Sequence, residues 1–338
     1  MVPASIKEVA AHAGVSVSTV SNVLNRPEMV AKATLEKVRA AIAELGFVRN
    51  ESARQLRVGR SRTIGLVVLD VANPFFTDVA RGVEDEASRA SLAVILCNTD
   101  DRERRENHYL DLLEEHRVQG VLITPVASEG SRLAGLQSRG TPVVLVDSAS
   151  ASLAQCSVAV DDVLGGEIAV SHLLAAGHNR IAYIGGPRSL HQVADRHSGA
   201  VRAMVRDGRN PEDLAVVRAD SLDVASGRRA GAEWLSLPPR GRPTAAFAVN
   251  DLVALGFLQE VTRNGIRIPG DVAVVGYDDI EFAAAAAIPL TSVRQPRRQL
   301  GRTAARLLLE EVADPAHHHR QVIFEPELII RQSSQPVE

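Results

Sequence analysis

Several polar and aromatic side chains stand at or near the ends of short aliphatic runs, where they could contact a small ligand. These residues are Asn73, Phe75, Phe76, Asp147, Arg196, Asn250 and Asp278. Carboxylates accept hydrogen bonds from adjacent hydroxyls, whereas an arginine and amides donate to ligand oxygens, a combination typical of sugar sites. Each aspartate or asparagine could instead cap the helix that follows it. We favour that structural role for Asp251 and Asp279, and ligand binding for Asp278.

The residues that could bind a metal do not form a recognisable motif. His317, His318 and His319 lie in the polar stretch DPAHHHRQ, without a second ligand cluster at zinc spacing. We therefore expect a solvated loop. Cys97 and Cys156 lie in apolar stretches with no paired spacing, which predicts buried thiols in a reducing cytoplasm. No metal site is expected.

Motifs for catalysis or nucleotide binding are weaker still. Asp278, Asp279 and Glu281 form an acidic group, but neighbours on a turn point apart and no general acid–base partner is evident. Gly185 and Gly186 lack the context of a GxGxxG or GKS fingerprint. We therefore expect a protein that is not an enzyme and that uses no cofactor.

Aliphatic runs alternate with helix-patterned stretches from residue 63 onward. The runs are TIGLVVLD, AVILCNT, GVLITPV, PVVLVD, RIAYIGG, AVVRAD, TAAFAVN and DVAVVGYDD. Repeated strand–helix units predict an α/β fold of parallel sheets covered by helices on both faces. The series is too long for one sheet, and the length of 338 residues also predicts more than one domain. Ligands are expected at the carboxyl ends of the strands.

The N-terminal segment is basic and all-helical in pattern. Residues 1–62 carry a net charge of +5, whereas the rest of the chain carries −8. Ser5 and Glu8 match a capping box that opens a first helix, Gly14 ends it, and Ser16 caps a second helix over 16–25. A third helix follows with apolar spacings of three and four. Two helices joined by a tight glycine turn and supported by a third are typical of a helix-turn-helix, which lays one helix in the DNA major groove.

The motifs VAAHAGVSVSTVSNVLN and RNESARQL resemble the lactose repressor family of bacterial transcription regulators, and the resemblance runs along essentially the whole chain. It implies a helix-turn-helix domain, a hinge helix with a linker, a two-lobed domain similar to periplasmic sugar-binding proteins, and a short tail. The implied bounds are 1–49 for the DNA-binding domain, 50–62 for the hinge, 63–161 and 291–319 for lobe one, 162–290 and 320–331 for lobe two, and 332–338 for the tail.

The resemblance also implies which residues contact DNA. Base-reading positions fall on Val17, Ser18 and Asn22, of which Asn22 could pair with adenine. Positions that contact phosphates or cap helices fall on Ser16, Thr19, Ser21 and Asn25. Ser5, which opens the first helix, is also expected at the DNA. The implied hinge contacts are Asn50, Ala53, Arg54, Leu56 and Arg57. The hinge is too short to be a stable helix in water, and its leucine would be inserted between base pairs, although an ordinary packing role is the alternative.

The implied effector contacts include Asp278, Arg196 and Asn250, but three positions depart from the family pattern. Ala31 stands where a serine or threonine would cap the third helix, and Leu35 stands where arginine is frequent. Leu222 replaces the ring that many members stack on the ligand, so stacking would depend on Phe75 or Phe76. A sugar phosphate or another small polar metabolite therefore rivals a free sugar.

Together these features predict a transcription regulator, in particular a repressor, controlled by a small-molecule effector. It would bind palindromic operator DNA as a homodimer in the bacterial cytoplasm and associate with the nucleoid when bound. The last residues, RQSSQPVE, lack the apolar heptads of a tetramer-forming coiled coil, and no signal segment or membrane span is predicted. A small-molecule receptor without DNA binding and a carbohydrate-processing enzyme are the alternatives from other classes.

Overall fold

The computed structural model describes residues 4–48, 61–126, 131–150, 154–314 and 316–335. The chain divides into two compact units, Met1–Ser61 and Arg62–Glu338. Within the described ranges, every helix is too short or too polar to span a bilayer.

The first unit is a bundle of three helices with a small aliphatic core. The helices are α1 Ile6–Ala13, α2 Val17–Asn25 and α3 Lys32–Glu44. Val9, Val20, Val23 and Val38 are buried between them. Gly14 ends α1 at a φ of 64°, in the left-handed region that glycine adopts at low cost, and so forms the tight turn that the sequence predicts.

The caps of this unit follow the sequence closely. Ser5 and Glu8 form the predicted capping box, and the hydroxyl of Ser16 accepts a hydrogen bond from the backbone of Thr19 at 3.1 Å. Because Ser16 is the cap, α2 itself begins one residue later. Ala31 precedes α3 without any side-chain cap, as its residue type predicts.

The second unit contains twelve strands in two sheets, within the described residues. The strands are β1 Thr63–Val68, β2 Ala93–Asn98, β3 Val121–Ile123, β4 Val143–Val146, β5 Ser157–Val160, β6 Ile181–Gly185, β7 Leu214–Arg218, β8 Ala245–Ala248, β9 Ala273–Asp278, β10 Thr291–Arg294, β11 Gln321–Phe324 and β12 Glu327–Ile329. The first sheet has the order β11-β5-β4-β3-β1-β2 and is parallel throughout. The second has the order β12-β10-β9-β8-β6-β7, and only β12 is antiparallel.

Helices cover these sheets and bury the strands, which explains why the strands are continuous aliphatic runs. They are α4 Pro74–Arg89, α5 Glu103–Glu115, α6 Ser131–Ser138, α7 Asp162–Ala175, α8 His191–Arg206, α9 Val224–Ser236, α10 Asp251–Arg263, α11 Glu281–Ala285 and α12 Arg297–Ala313. Central strands such as β4, β6 and β9 are buried along their whole length. The predicted α/β fold with parallel sheets is therefore confirmed.

Two predicted lobe boundaries need correction, because two strands belong to the other sheet. β10 pairs with β9 in the second sheet, so the chain leaves lobe two after Arg294 and not near Leu290. β11 pairs with β5 in the first sheet, so the next crossing follows Phe324 and not Arg320. The run QVIFEPELII is accordingly two short strands in different sheets. Four-residue strands carry too little periodicity to be located from sequence.

Helices α7 and α8 approach each other closely through two glycines. A Cβ atom on Gly199 would lie 1.9 Å from the carbonyl oxygen of Val163, and one on Gly166 would lie 2.0 Å from that of Arg196. No side chain larger than hydrogen fits either position without moving a helix. This contact brings the start of α7 beside Arg196, in the middle of α8.

Candidate effector site and DNA-binding face

Helix α2 presents its predicted base-reading residues to solvent. Val17, Ser18 and Asn22 are exposed on one face, while Val20 and Val23 are buried on the opposite face. An exposed amide such as that of Asn22 can donate to and accept from an adenine edge at the same time, and an exposed valine can contact a thymine methyl group. The face is therefore suited to the major groove.

The remaining predicted contacts on α2 also hold the ends of the helix. The Ser16 hydroxyl lies 2.7 Å from the hydroxyl of Ser18 and 2.8 Å from that of Thr19. The Asn25 amide donates to the carbonyl oxygen of Ser21 at 2.7 Å and to its hydroxyl at 3.2 Å. Both ends of the helix therefore carry side-chain hydrogen bonds, and the Ser16 hydroxyl also satisfies a backbone donor of the first turn.

The predicted hinge contacts cannot be located in this way. Asn50, Ala53, Arg54, Leu56 and Arg57 all lie outside the described residues. Their roles, including that of Leu56 as a wedge, stay predictions.

A cleft between the two lobes brings together all the predicted effector residues. Its cavity of about 360 Å³ falls at the small end of the range for small-molecule sites. Lobe one contributes Asn73, Phe75, Phe76 and Asp147, and lobe two contributes Arg196, Leu222, Asn250 and Asp278. They meet because parallel strands direct their carboxyl ends to the same edge of each sheet.

Asp278 stands at the carboxyl end of β9 and is nearly surrounded by donors. One oxygen accepts from the Gln295 amide at 2.7 Å, and the other accepts from the Asn73 amide at 3.2 Å. A guanidinium nitrogen of Arg196 lies 3.9 Å away. Burial raises the pKa of Asp278, and these three partners oppose that shift. The bond from Asn73 also connects the lobes.

Arg196 is a buried cation held by three different kinds of contact. Its Nε donates to Asp162 at 2.8 Å, and its Nη1 donates to the carbonyl oxygen of Val249 at 2.8 Å. The guanidinium stacks 3.7 Å from the centre of the Tyr277 ring. Burial alone would lower the pKa of Arg196, but the carboxylate of Asp162 raises it, so the side chain stays charged. Neither Asp162 nor Tyr277 was identified from the sequence.

The carboxylate of Asp147, which is also buried in the cleft, accepts fewer side-chain hydrogen bonds than that of Asp278. Its Oδ2 accepts from the Gln192 amide at 3.0 Å, whereas its buried Oδ1 has no hydrogen-bond partner among the described residues. Burial raises the pKa of Asp147 well above its usual range, and the negative charges of Asp162 and Asp278 raise it further. An acceptor in this state gains from any hydroxyl that a ligand supplies.

The asparagines and phenylalanines that line the cleft also stabilise the fold. Asn73 and Asn250 cap α4 and α10 through their side-chain oxygens, as the alternative interpretation predicts. The Asn250 amide also donates to the carbonyl oxygen of Leu222 at 3.0 Å. Phe75 and Phe76 pack edge to face with ring centres 5.0 Å apart. Both line the cavity, so lobe one supplies its aromatic surface.

The rim of the cleft is acidic, a feature that the sequence did not reveal. Asp70, Asp100, Asp101, Asp220 and Asp223 line it beside Arg102. Burial raises the pKa of Asp101 to about 6, and the charges of Asp70 and Asp100 add to the effect. Their position after strands was the signal that could have found them, because Asp70, Asp100 and Asp220 closely follow the carboxyl ends of β1, β2 and β7.

Asp251 and Asp279 stabilise the turn that carries Asp278, so they are structural but are not helix caps. Asp251 accepts from the backbone of Ile280 at 2.8 Å and from the Ser292 hydroxyl at 2.6 Å. Asp279 accepts from Arg294 at 2.7 Å and from Arg331 at 2.6 Å. The predicted structural role of Asp251 and Asp279 is therefore correct, but their predicted role as helix caps is wrong. The cap of α10 is Asn250, and α11 is preceded by Ile280, whose side chain makes no capping hydrogen bond.

The histidine run is also different from the solvated loop that we predicted. His318 is exposed, but His317 and His319 are half-buried and face the thiol of Cys156. The partner is 161 residues away from His317 in the chain, so no local spacing could have revealed it.

Comparisons with known proteins agree with both halves of this description. Residues 5–50 match the model for bacterial regulatory proteins of the lacI family, and residues 170–334 match a periplasmic binding protein-like domain. The chain is 36% identical over 332 residues to the HTH-type transcriptional repressor PurR of Aliivibrio fischeri, covering 98% of each protein.

Two solved structures extend the likeness to the fold. The lac repressor dimer bound to operator and the anti-inducer ONPF is 28% identical, with a TM-score of 0.86 over 99% of this chain and all of the other. The transcriptional regulator CelR in complex with cellobiose is 31% identical, with a TM-score of 0.73 over 98% of this chain and all of the other. The protein therefore belongs to the lacI family of bacterial transcription regulators, which bind DNA through a helix-turn-helix and respond to a small-molecule effector.

Proposed function

We propose that this protein is a transcriptional repressor that binds a palindromic operator through α2 and a neutral, polyhydroxylated effector in the cleft between the lobes. The observation that carries the proposal is the convergence of Asp147, Arg196 and Asp278, all buried, on one cavity lined by both lobes. Two carboxylates and a guanidinium offer acceptors and a donor to a ring of hydroxyl groups. A ligand that contacts both lobes can bias their relative arrangement.

The charge of the cleft favours a neutral sugar over a sugar phosphate. Seven aspartates line the cavity against two arginines, Arg102 and Arg196. The positive charge of Arg196 is already compensated by Asp162 at 2.8 Å and Asp278 at 3.9 Å, so little net positive charge remains to attract a phosphate. An anionic group would meet carboxylates on both lobes, and their repulsion weakens its binding. Relatives with sugar-like ligands, such as the CelR–cellobiose complex, support the same ligand class.

The DNA-binding half of the proposal rests on geometry and charge. The exposed face of α2, with Val17, Ser18 and Asn22, would contact the bases, and the net charge of +5 in residues 1–62 favours a polyanion. A palindromic site requires two copies of the chain, as in the lac repressor dimer bound to operator. The predicted hinge, with Leu56 as its wedge, would act between the two half-sites. The protein would act at the chromosome, in the cytoplasm.

We also propose that the cleft binds its ligand without catalysing a reaction of it. The described lining residues include no histidine, cysteine or lysine that could activate the Ser221 hydroxyl as a nucleophile. Asp278 is committed to Asn73 and Gln295 and cannot readily donate a proton. Burial raises the pKa of Asp147 and Asp101, so either could donate a proton, and binding without conversion is supported instead by the membership of the chain in a family of transcription regulators.

A thermal-shift screen over neutral sugars, sugar phosphates and nucleosides tests the effector class. At a concentration a hundred times its Kd, a ligand adds about 2.7 kcal/mol to the free energy of unfolding, which raises Tm by about 5 °C. We expect a neutral sugar to produce this shift and to change the affinity for an enriched palindromic duplex in gel-shift assays. Recovery of the ligand unchanged would separate binding from turnover.

The matched variants are Asp278→Ala, which removes a buried acceptor of the cleft, and Asp213→Ala, which changes an exposed residue that does not line the cleft. Asp278→Ala should abolish the thermal shift and retain DNA binding, whereas Asp213→Ala should retain both. If only phosphorylated ligands stabilise the protein, the neutral-sugar assignment is wrong. If no salt-sensitive, sequence-specific DNA binding is found, the repressor assignment is wrong.

A further inference from the structure

Cys156, His317 and His319 form a compact group of soft and borderline metal ligands. The Cys156 sulfur lies 3.2 Å from Nε2 of His317 and 3.8 Å from Nδ1 of His319. One ligand atom from each of the three residues lies within 4.8 Å of the others. The sulfur is buried, and the two rings are half-buried at the surface of lobe one.

A fourth candidate ligand comes from the end of α12. Glu311 directs its Oε2 to within 3.8 Å of His319 Nδ1, and this buried oxygen has no hydrogen-bond partner among the described residues. A buried carboxylate oxygen without a donor is costly unless a cation or a proton compensates it. Glu311 lies beside His319 but outside the compact group of three, so its carboxylate would have to turn toward the thiol to complete a set of one sulfur, two nitrogens and one oxygen.

The backbone holds these side chains in place from two directions. Cys156 directly precedes β5, and its carbonyl oxygen accepts from Leu145 at 3.0 Å in the neighbouring strand. Arg320 directly precedes β11, donates from its backbone to the Cys156 sulfur at 3.3 Å, and accepts from Ser157 at 3.0 Å. The thiol and the histidine loop are therefore joined by sheet hydrogen bonds before any metal is considered.

The exposure of the three successive histidines follows an alternating pattern. His317 and His319 contact the thiol, while His318 points to solvent, as expected for residues entering an extended strand. The loop is braced by Asp314, whose carboxylate accepts from the backbone of Ala316 at 2.9 Å and whose carbonyl oxygen accepts from His317 at 3.0 Å.

We propose that Cys156, His317, His319 and Glu311 form a structural zinc site in lobe one. In a tetrahedral site with Zn–S bonds of about 2.3 Å and Zn–N bonds of about 2.0 Å, sulfur and nitrogen ligands lie about 3.5 Å apart. The observed separations of 3.2 Å and 3.8 Å bracket that value. A ligand set of thiolate, imidazole and carboxylate, with both soft and hard donors, suits Zn²⁺ better than Mg²⁺ or Ca²⁺.

This site is separate from the effector cleft. Cys156 and His319 stand at the amino ends of β5 and β11, whereas the cleft lies at the carboxyl ends of the strands. Both strands lead directly to crossings between the lobes. A zinc ion would join these two strands to α12 and so stabilise lobe one at its outer edge.

Zinc binding is tested with the full chain, prepared without a histidine tag and kept reduced. We expect about one zinc ion per chain in equilibrium dialysis, and a Tm raised by about 5 °C at saturating zinc. Cobalt(II) should give the thiolate charge-transfer absorption of a cysteine ligand and the strong visible bands of a tetrahedral site. The metals alone serve as probes, so no effector or operator is needed.

Matched variants assign the ligands. Cys156→Ala should remove the charge-transfer absorption, and His319→Ala and Glu311→Gln should each weaken zinc binding by roughly tenfold or more. His318→Ala, the exposed neighbour, and Cys97→Ala, the other buried thiol, should bind zinc like the wild type. His319→Ala changes a half-exposed loop residue, so it reports on zinc even if Cys156→Ala fails to fold.

The opposite results would overturn the site. Stoichiometry well below one ion, equal losses in His318→Ala and His319→Ala, or cobalt spectra without thiolate absorption each mean that the three residues form only a hydrogen-bonded cluster. Wild-type zinc binding in Glu311→Gln would remove Glu311 from the ligand set. None of these outcomes depends on operator or sugar binding, so the repressor assignment is tested separately.

Discussion

Gln192 of α8 donates two hydrogen bonds across the cleft to Asp147 of the first lobe. Its amide nitrogen lies 2.8 Å from the Asp147 carbonyl oxygen and 3.0 Å from Oδ2 of the carboxylate. A third hydrogen bond between the lobes joins Asn73 to Asp278 at 3.2 Å. A change in the arrangement of the lobes would therefore alter the hydrogen bonds to these two buried carboxylates, even in the absence of a ligand.

Replacing Gln192 by leucine should weaken effector binding by at least roughly tenfold. The change leaves the buried Asp147 carboxylate without its side-chain donor, at a cost of about 1–3 kcal/mol. Calorimetric titration with the sugar that gives the largest thermal shift in the wild type measures the effect. Gln259→Leu, on the exposed face of α10, is the matched control and should bind normally. Wild-type affinity in Gln192→Leu would show that the bond is dispensable.

Asp147→Asn should stabilise the ligand-free protein and impair effector binding. The buried carboxylate has a raised pKa and an oxygen without a partner, so its charge disfavours the folded state near neutral pH. Removing that charge should raise the free energy of unfolding by about 1 kcal/mol in guanidinium denaturation at pH 7. The control is Asp220→Asn, an exposed aspartate of the same cleft, which should change stability by less than about 0.5 kcal/mol. A less stable Asp147→Asn variant would contradict the argument.

Asp101 should impose a pH dependence on stability between its ordinary pKa and its folded pKa of about 6. Because the folded protein binds this proton more tightly than the unfolded chain, the free energy of unfolding falls as the pH rises through that window. Asp101→Asn removes the charge, so its Tm should exceed the wild-type value at pH 7 and approach it below pH 4. Thermal denaturation of both proteins across this range measures the difference. A difference that is constant with pH would mean that the carboxyl group titrates normally.

The convergence of the candidate effector residues on one cleft was predictable, because it depends on one general property of the fold. Parallel strands end at the same edge of a sheet, so a polar residue after an aliphatic run is directed toward the cleft wherever it lies in the chain. Asn73, Asp147 and Asp278 all follow this rule. Their exact partners were not predictable in the same way, since Gln192 lies inside the pattern of a helix and Gln295 lies in a crossing.

The features that escaped prediction depend on contacts between distant segments. Cys156 meets His317 only because β11 joins β5 in the first sheet, a pairing that the predicted lobe boundary excluded. Tyr277 had the pattern of an ordinary strand residue, yet its ring faces the guanidinium of Arg196. Local sequence periodicity indicates which face of an element is buried, but it does not indicate which element lies against that face.

Gly199→Ala should destabilise the second unit by about 3 kcal/mol, because the new methyl group would overlap the carbonyl oxygen of Val163. The shift of α8 should also displace Arg196 and weaken effector binding. Gly135→Ala is the control: it lies in α6 with only the flexible Arg139 side chain near its Cβ position, and alanine favours a helix over glycine. Guanidinium denaturation compares the two variants. Equal stability would mean that the helices separate without cost.

Asn22→Ala should reduce specific operator binding by roughly ten- to a hundredfold, since a base contact through an amide contributes about 1–3 kcal/mol of discrimination. The wild-type protein first selects its operator from a random palindromic pool, and gel shifts then compare the selected duplex with an unrelated one. Binding to the unrelated duplex should not change, because phosphate contacts dominate it. Asn264→Ala, an exposed asparagine in the second unit, controls for the substitution itself. An equal loss on both duplexes would mean that Asn22 contacts the DNA backbone and not a base.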